Sequence, residues 1–435
     1  VRLHETSSWH LFIKQPLKHF FYRTGTFEMN QISGYECLEC ACTFSVAEIK
    51  YVCPQCGGNL DVRYDYELIS RQFSKTELAA DSNFTMWRYR PLLPIADSSP
   101  VPTLSVGWTP LYDAPRLADE FGVRQVLVKD DGRNPTASFK DRPSALAVVK
   151  AQEAGATVAT TASSGNAGAA LAGMCASVGM KSAIFVPATT PAAKVAQLQI
   201  YGATVVLVEG SYEQACELCL AASERFGWYQ RTTGYNPFTA EGKKTAAFEI
   251  AEQLHWQVPD RVIVGVGDGN IIGGLWKGFC DLQSLGWIDR LPKLTGVQAA
   301  GAAPLVAAVN GDGVIRPVIG QTVADGINVG DPRDGTRALR AMRDSGGGAV
   351  AVSDEEIIAA IPRLALTTGV FAEPGAAAAL AGFIKLRECG VIQSDESVTL
   401  VITGNGLKDI NTARRSVGEP LRIQPDVAEL DKLKT

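Results

Sequence analysis

The chain has 435 residues, of which 46% are hydrophobic and 20% charged, with a formal net charge of −5. That length exceeds what one core usually serves, so two domains and a small appendage are expected, with the composition of a globular enzyme. The charge gives no general attraction to nucleic acid or an anionic membrane. No apolar run reaches the ~18 residues of a spanning helix, and the chain reads as cytoplasmic.

Residues 1–33 are aromatic-rich, with His10, Phe12, Phe20, Phe21 and Tyr22, and read as an N-terminal arm packed on the body or on a second subunit. Cys37-Leu38-Glu39-Cys40 and Cys53-Pro54-Gln55-Cys56-Gly57-Gly58 follow, twelve residues apart. Paired CxxC knuckles of this kind suit a tetrahedral Zn²⁺ held by four thiolates, so residues 34–62 read as a zinc-ribbon-like module. The metal ligands would be Cys37, Cys40, Cys53 and Cys56, with Cys42 a spare thiol nearby. Four thiolates leave no open position for water, so the site would be structural rather than catalytic. The rest of the ten cysteines, Cys216 and Cys219 included, read as isolated or core thiols.

Residues 61–102 are charged and then proline-rich, which reads as a connector. From Val126 onward apolar strands alternate with alanine-rich helices. Strands are expected at 157–161, 182–186, 204–208 and 228–229, with helices at 167–178, 194–201 and 212–226. Such βα units imply a parallel sheet covered on both faces, and 144–235 has the length of a small domain. A second α/β block begins near Gly242, with strands at 262–266, 294–297 and 398–402. The expected division is therefore a large domain from 63–143 and 236–415, a small one at 144–235, and a polar tail at 416–435. The fold class is α/β, with two open, twisted-sheet, three-layer domains around a cleft.

One stretch organises the rest. The apolar run Val126-Leu127-Val128 leads through Asp130-Asp131-Gly132-Arg133-Asn134-Pro135-Thr136 to Ser138-Phe139-Lys140-Asp141-Arg142 and a helix. Ser138 is placed to cap that helix and Lys140 stands at its first turn. The positive end of a helix disfavours a second cation there, which helps keep the amine neutral, as a Schiff-base lysine needs. Gly265-Val266-Gly267-Asp268-Gly269-Asn270-Ile271 comes straight after a strand and opens a helix. Its amides can converge on an anion, but its glycine spacing does not fit a dinucleotide fingerprint. None of the four histidines lies in a triad or HExxH pattern.

Taken together, Asn134-Pro135-Thr136, Ser138-Phe139-Lys140-Asp141, Ser163-Ser164-Gly165-Asn166 and Thr403-Gly404-Asn405-Gly406 resemble the threonine synthase family. That family belongs to the pyridoxal phosphate enzymes of the tryptophan synthase β-type fold. The resemblance runs from about Gly34 to Arg415. It implies pyridoxal 5'-phosphate on Lys140, which also moves the substrate's protons. It assigns Asn166 to the cofactor's 3-hydroxyl, Thr403 to its pyridine nitrogen, and Gly267, Asp268, Gly269, Asn270 and Ile271 to its phosphate. A neutral hydroxyl at the nitrogen biases chemistry towards β- and γ-elimination or replacement. Asp268 stands where the family often has a neutral residue, and its side chain is expected to point away from the phosphate. Pro143 replaces the usual glycine, which an early helical position tolerates.

For the substrate, the resemblance offers Ser163 and Ser164 for its carboxylate, and Lys194 and Lys244 for its anionic leaving group, though either lysine reads equally as a solvated helix residue. Arg142 reads as a residue of the site mouth, with Asp141 as its alternative partner. The implied activity is conversion of O-phosphohomoserine and water to threonine and phosphate, in a homodimer. The alternatives are a threonine or serine dehydratase, a phosphoserine-using β-replacement enzyme, or a non-catalytic protein that binds partners through the cysteine module.

Overall fold

The computed structural model describes residues 31–48 and 51–433. The expected arm therefore lies almost wholly outside the described residues, and its last positions belong to the strand Ile32–Cys37. The body is built on two open sheets. The larger has six strands in the order Gly348–Val352, Lys293–Ala299, Arg261–Gly265, Ser397–Ile402, Gln125–Asp130 and Leu111–Asp113. All its neighbours are parallel except the last pair. The smaller has four parallel strands, Thr204–Val208, Lys181–Pro187, Val158–Ala162 and Tyr229–Gln230.

Side-chain alternation explains why helices cover the larger sheet. Val262 and Val264 pack with the helices Asp141–Glu153, Phe238–Gln253 and Asn270–Ser284. Ile263, one residue out of step, packs with Asp354–Thr368 and Pro374–Glu388 on the other face. Both Arg261–Gly265 and Ser397–Ile402 are buried along their whole length, as central parallel strands must be. Glycine allows the helices to close up: a Cβ on Gly278 would meet the Lys244 carbonyl oxygen at 2.5 Å.

Two edge strands were not legible in the sequence. Gly348–Val352 is glycine- and alanine-rich and half-buried, and Leu111–Asp113 has only three residues. Nor is 61–102 a loose connector. It holds the strand Leu60–Tyr64 and the helices Tyr66–Gln72 and Lys75–Ala80, and it buries Trp87, Tyr89 and Leu92 in the main core.

At the N-terminal side, Thr43–Phe44, Ile32–Cys37 and Leu60–Tyr64 form a three-stranded antiparallel sheet. It docks on the body through Asn59, whose amide donates to the Arg333 carbonyl and to Asp334 Oδ1, both at 2.7 Å. Arg337 reaches back to Asp61 at 2.5 Å and to the Leu60 carbonyl at 2.8 Å. Among the described residues, no helix is long and apolar enough to cross a membrane.

Candidate active site

Three helices begin at the C-terminal ends of parallel strands without a side-chain cap. They are Asp141–Glu153 after Gln125–Asp130, Asn166–Ser177 after Val158–Ala162, and Asn270–Ser284 after Arg261–Gly265. Uncapped amides at strand ends are where open α/β sheets receive anionic ligands. Ser138 does not cap the first of these helices, contrary to the sequence expectation. Its backbone bridges to Gly404, Phe139 N–H donates to the Thr403 carbonyl (2.8 Å), and Asn405 N–H donates to the Ala137 carbonyl (3.1 Å). The lysine turn is thereby stitched to the loop after the neighbouring strand. Ser138 Oγ is left buried without a hydrogen-bond partner.

Lys140 occupies the N-cap position itself. The ion pairs and side-chain hydrogen bonds of the surrounding turn bypass its amine. Thr136 N–H, for example, donates to Asp141 (2.6 Å). Burial, followed by repulsion from Arg231, pulls the Lys140 amine down to about 8, against the opposing pull of Asp268 and Glu373. A substantial neutral fraction near physiological pH is what a nucleophilic or proton-moving lysine requires.

Asn166 donates to Glu373 Oε1 at 2.8 Å, and burial raises the Glu373 carboxyl. Glu373 N–H in turn donates to the Gly404 carbonyl (3.0 Å). A Cβ at 404 would lie 2.1 Å from Glu373 Oε1, so a side chain there would displace the Glu373 carboxylate from Asn166. Asn166, Glu373, Thr403 and Lys140 are thus held in one neighbourhood by three helix starts and one strand end. Ser163 and Ser164 are half-buried, and Ser163 Oγ accepts from Gly165 N–H at 3.3 Å.

The loop over Gly267, Asp268, Gly269, Asn270 and Ile271 turns with Gly269 at φ +91°, a left-handed conformation that favours glycine. Asn270 is fixed on both sides. Its amide donates to Asp334 Oδ2, and its carbonyl oxygen accepts from Lys243 Nζ. Asp268, whose side chain is expected to turn away from the phosphate, lies among cations. Its carboxyl is raised chiefly by burial, and Lys140, Lys243 and Arg333 pull it the other way. The cations gathered around this loop attract the carboxylate.

Two expected substrate cations are corrected. Arg142 is fully buried, with Asp131 at 2.6 Å and Glu249 at 2.5 Å, so it is committed to the core. Lys244 is also fully buried, at 2.6 Å from both Glu241 and Asp281 and over the Tyr64 ring at 3.9 Å. Successive helical residues diverge by roughly 100°, so Lys243 faces the loop while Lys244 faces away. Lys194 does lie near the site, but Asp325 engages it at 2.7 Å, linking the helix Ala192–Ile200 to the turn Asp325–Ile327. Sequence reading missed Arg231 altogether, although it lies just beyond the strand Tyr229–Gln230, where open sheets place ligand contacts.

The arrangement combines an unpaired amine of lowered basicity, three uncapped helix starts and an orphaned hydroxyl. It suits an anionic, carbonyl-bearing cofactor. Comparison with known proteins agrees with that chemistry. The family described as pyridoxal-phosphate dependent enzyme matches residues 102–404. The threonine synthase of Methanocaldococcus jannaschii is 42% identical over 400 residues, covering 91% of this chain and 98% of that one. That of Methanosarcina acetivorans is 41% identical over 395 residues, covering 90% and 96%. Among solved structures, threonine deaminase isoform 2 from Solanum lycopersicum matches with a TM-score of 0.60 at 25% identity, over 71% of this chain and 87% of that one. Diaminopropionate ammonia lyase from Escherichia coli matches at 0.62 and 19% identity, over 79% and 92%, a likeness of fold alone. From the family match and these near full-length relatives, the chain belongs to the pyridoxal-phosphate dependent enzymes and is closely related to the threonine synthases.

Proposed function

We propose that the protein is a threonine synthase that converts O-phosphohomoserine and water to threonine and phosphate. The observation that carries this is the end-to-end match to threonine synthases, 98% of the relative's length at 42% identity. The site's residues fit the cofactor, since the orphaned Ser138 hydroxyl, the unpaired Lys140 amine and the uncapped start of Asn270–Ser284 are polar groups that need a partner. In this reading Lys140 holds pyridoxal phosphate, Asn166 and Thr403 orient its ring, and the amides of 267–271 take its phosphate. When bound, the cofactor supplies an electron sink that stabilises negative charge at the substrate's carbons.

The chain's own residues do the rest. Ser163, Ser164 and the first amides of Asn166–Ser177 bind the substrate carboxylate. Lys140, with its amine near 8, takes one proton from the α-carbon and then one from the β-carbon. Both are given back, one to the γ-carbon after phosphate has left it and one to the α-carbon after water has added its hydroxyl at the β-carbon, the water's own proton passing to the departed phosphate. Phosphate leaves from the γ-carbon. Lys194 and Asp325 reach across the mouth and help exclude water. The domain division expected from the sequence is kept in this proposal, with 144–235 closing on the large domain as substrate binds.

The cysteine module is proposed to hold a structural Zn²⁺. The four sulfurs lie within 4.8 Å of one another, with Cys37–Cys56 at 3.5 Å and Cys40–Cys53 at 3.7 Å. Four thiolates about 2.3 Å from one tetrahedral ion would be about 3.8 Å apart, so the donor set fits. Cys42 turns aside to Gln55 at 3.1 Å.

The test is phosphate release from the purified, cofactor-loaded protein given O-phosphohomoserine or O-phosphoserine, with products identified by mass. Threonine and phosphate from O-phosphohomoserine, lost in Lys140→Ala, are expected. Release from O-phosphoserine alone would replace this reading with a β-replacement enzyme.

A further inference from the structure

Two buried cations break a pattern that the rest of the described residues obey. Lysines and arginines buried in this fold stand beside carboxylates. Lys129 has Glu249, Arg142 has Asp131, Lys244 has Asp281, Arg261 has Glu396, and Arg337 has Asp334 and Asp61, all within 3.1 Å. Arg88, Lys150 and Lys277 do likewise. Arg231, 1% exposed, and Lys243, fully buried, have neutral hydrogen-bond partners instead. Burying a cation without a counter-charge is expensive, so an unmatched pair marks a place where an anion is brought by something else.

The two cations are aimed, not merely left over. Arg231 Nε donates to Ser144 Oγ at 3.2 Å and Nη1 to Thr233 Oγ1 at 3.0 Å, while Nη2 is buried with no partner. Ser144 lies one helical turn beyond Lys140, on the same helix face, so the guanidinium is held beside the amine. Lys243 Nζ is fixed by Asn270, the first residue of the helix after the glycine loop. The electrostatics agree with this convergence. Repulsion from Arg231 lowers Lys140, and repulsion from Lys140 and Arg231 adds to burial in lowering Lys243. The carboxylates that act on them most strongly, Asp268 on Arg231 and Asp334 followed by Asp268 on Lys243, do so from beyond 4.0 Å, and none of them forms an ion pair with either cation.

We propose that Arg231 and Lys243 form the subsite for the substrate's phosphate, recognising a phosphomonoester dianion and receiving it as the leaving group. This rests on the threonine synthase reading for the identity of the substrate. It goes beyond that reading by assigning leaving-group recognition to two residues. Backbone amides of the glycine loop are available for the cofactor's phosphate, which frees the two side chains for a second anion. A dianion beside Lys140 also fits the order of the chain's carbons. The amine works at the α- and β-carbons, and the phosphate hangs one carbon further on. As the γ-carbon–oxygen bond breaks, the bonding pair goes to the phosphate oxygen, and the two cations stabilise that charge.

The test uses cofactor-loaded wild type, Arg231→Gln and Lys243→Gln. Glutamine can keep the Ser144 or Asn270 bond, and the cofactor's visible absorbance and its dissociation constant check that each site is intact. For Arg231→Gln, the expected result is a KM for O-phosphohomoserine raised roughly 10- to 100-fold. Inorganic phosphate binding, measured by calorimetry on the loaded enzyme, should weaken in the same proportion. Affinity for homoserine, which lacks the phosphate, should not change. Lys243→Gln should show the same split, so failure of one variant to fold leaves the other to decide. Loss of cofactor affinity with an unchanged KM would assign the cations to the cofactor's phosphate and overturn the proposal, as would phosphate binding equal in all three proteins. If wild type releases nothing from O-phosphohomoserine, the substrate reading fails. The calorimetric comparison with inorganic phosphate then still decides whether Arg231 and Lys243 form an anion site.

Discussion

Replacing Lys140 by methionine should stabilise the cofactor-free protein, and by an amount that depends on pH in a defined way. The folded protein holds this amine at about 8 against an ordinary 10.5, because burial and Arg231 disfavour its charged form. Between those values the unfolded chain binds the extra proton, so stability rises with pH there and the penalty is fully present below about 8. At pH 7 the difference corresponds to at most ~3 kcal/mol, and at pH 9.5 to ~1.4 kcal/mol. Residual contact of Lys140 with solvent lowers both figures. Urea unfolding of cofactor-free wild type and Lys140→Met at the two pH values reads the effect directly. The variant should unfold at higher urea at pH 7, and the gap should close by about half at pH 9.5. A variant less stable than wild type at pH 7, or a gap that does not change with pH, would refute the reasoning that the fold keeps this lysine at the expense of its own stability.

Glu249→Gln should destabilise the protein by ~3–5 kcal/mol, since it takes from buried Lys129 its carboxylate and leaves buried Arg142 with Asp131 alone; chemical denaturation at pH 7 measures this. Glu249 is held at about 2 by those cations, from an ordinary 4.5, once their attraction has outweighed its burial. Its contribution is therefore complete above about 4.5 and lost as pH falls towards 2, so acid titration should show wild type and variant converging over that window. Lys244→Met should also destabilise strongly by leaving Glu241 without its cation and Asp281 with Lys277 alone. The folded fraction should keep its KM for O-phosphohomoserine, unlike Lys243→Gln, as steady-state kinetics will check. Purified protein should carry about one zinc per chain by atomic emission, and Cys40→Ser should lower both metal content and the thermal midpoint, because Asn59, Asp61 and Leu60 tie the module to Asp334 and Arg337.

Sequence alone determined what is encoded over short distances. The strand, turn and helix around Lys140 follow from an apolar run, a proline-bearing polar turn and an alanine-rich stretch. The four thiols follow from spacing, and the glycine loop from its place after a strand. Parallel, doubly covered sheets follow from the alternation of apolar strands with helices. Only the tertiary structure decided which cations serve the site. Lys243 and Lys244 are adjacent and chemically identical, yet one reaches Asn270 and the other Asp281, far apart along the helix Asn270–Ser284 against which their own helix packs. Arg142 reads as a site residue beside Lys140 until Asp131 and Glu249 are seen to claim it. Arg231 carries no local motif at all. Charge pairing is settled by contacts between residues far apart in the chain, and periodicity and spacing carry no record of those contacts.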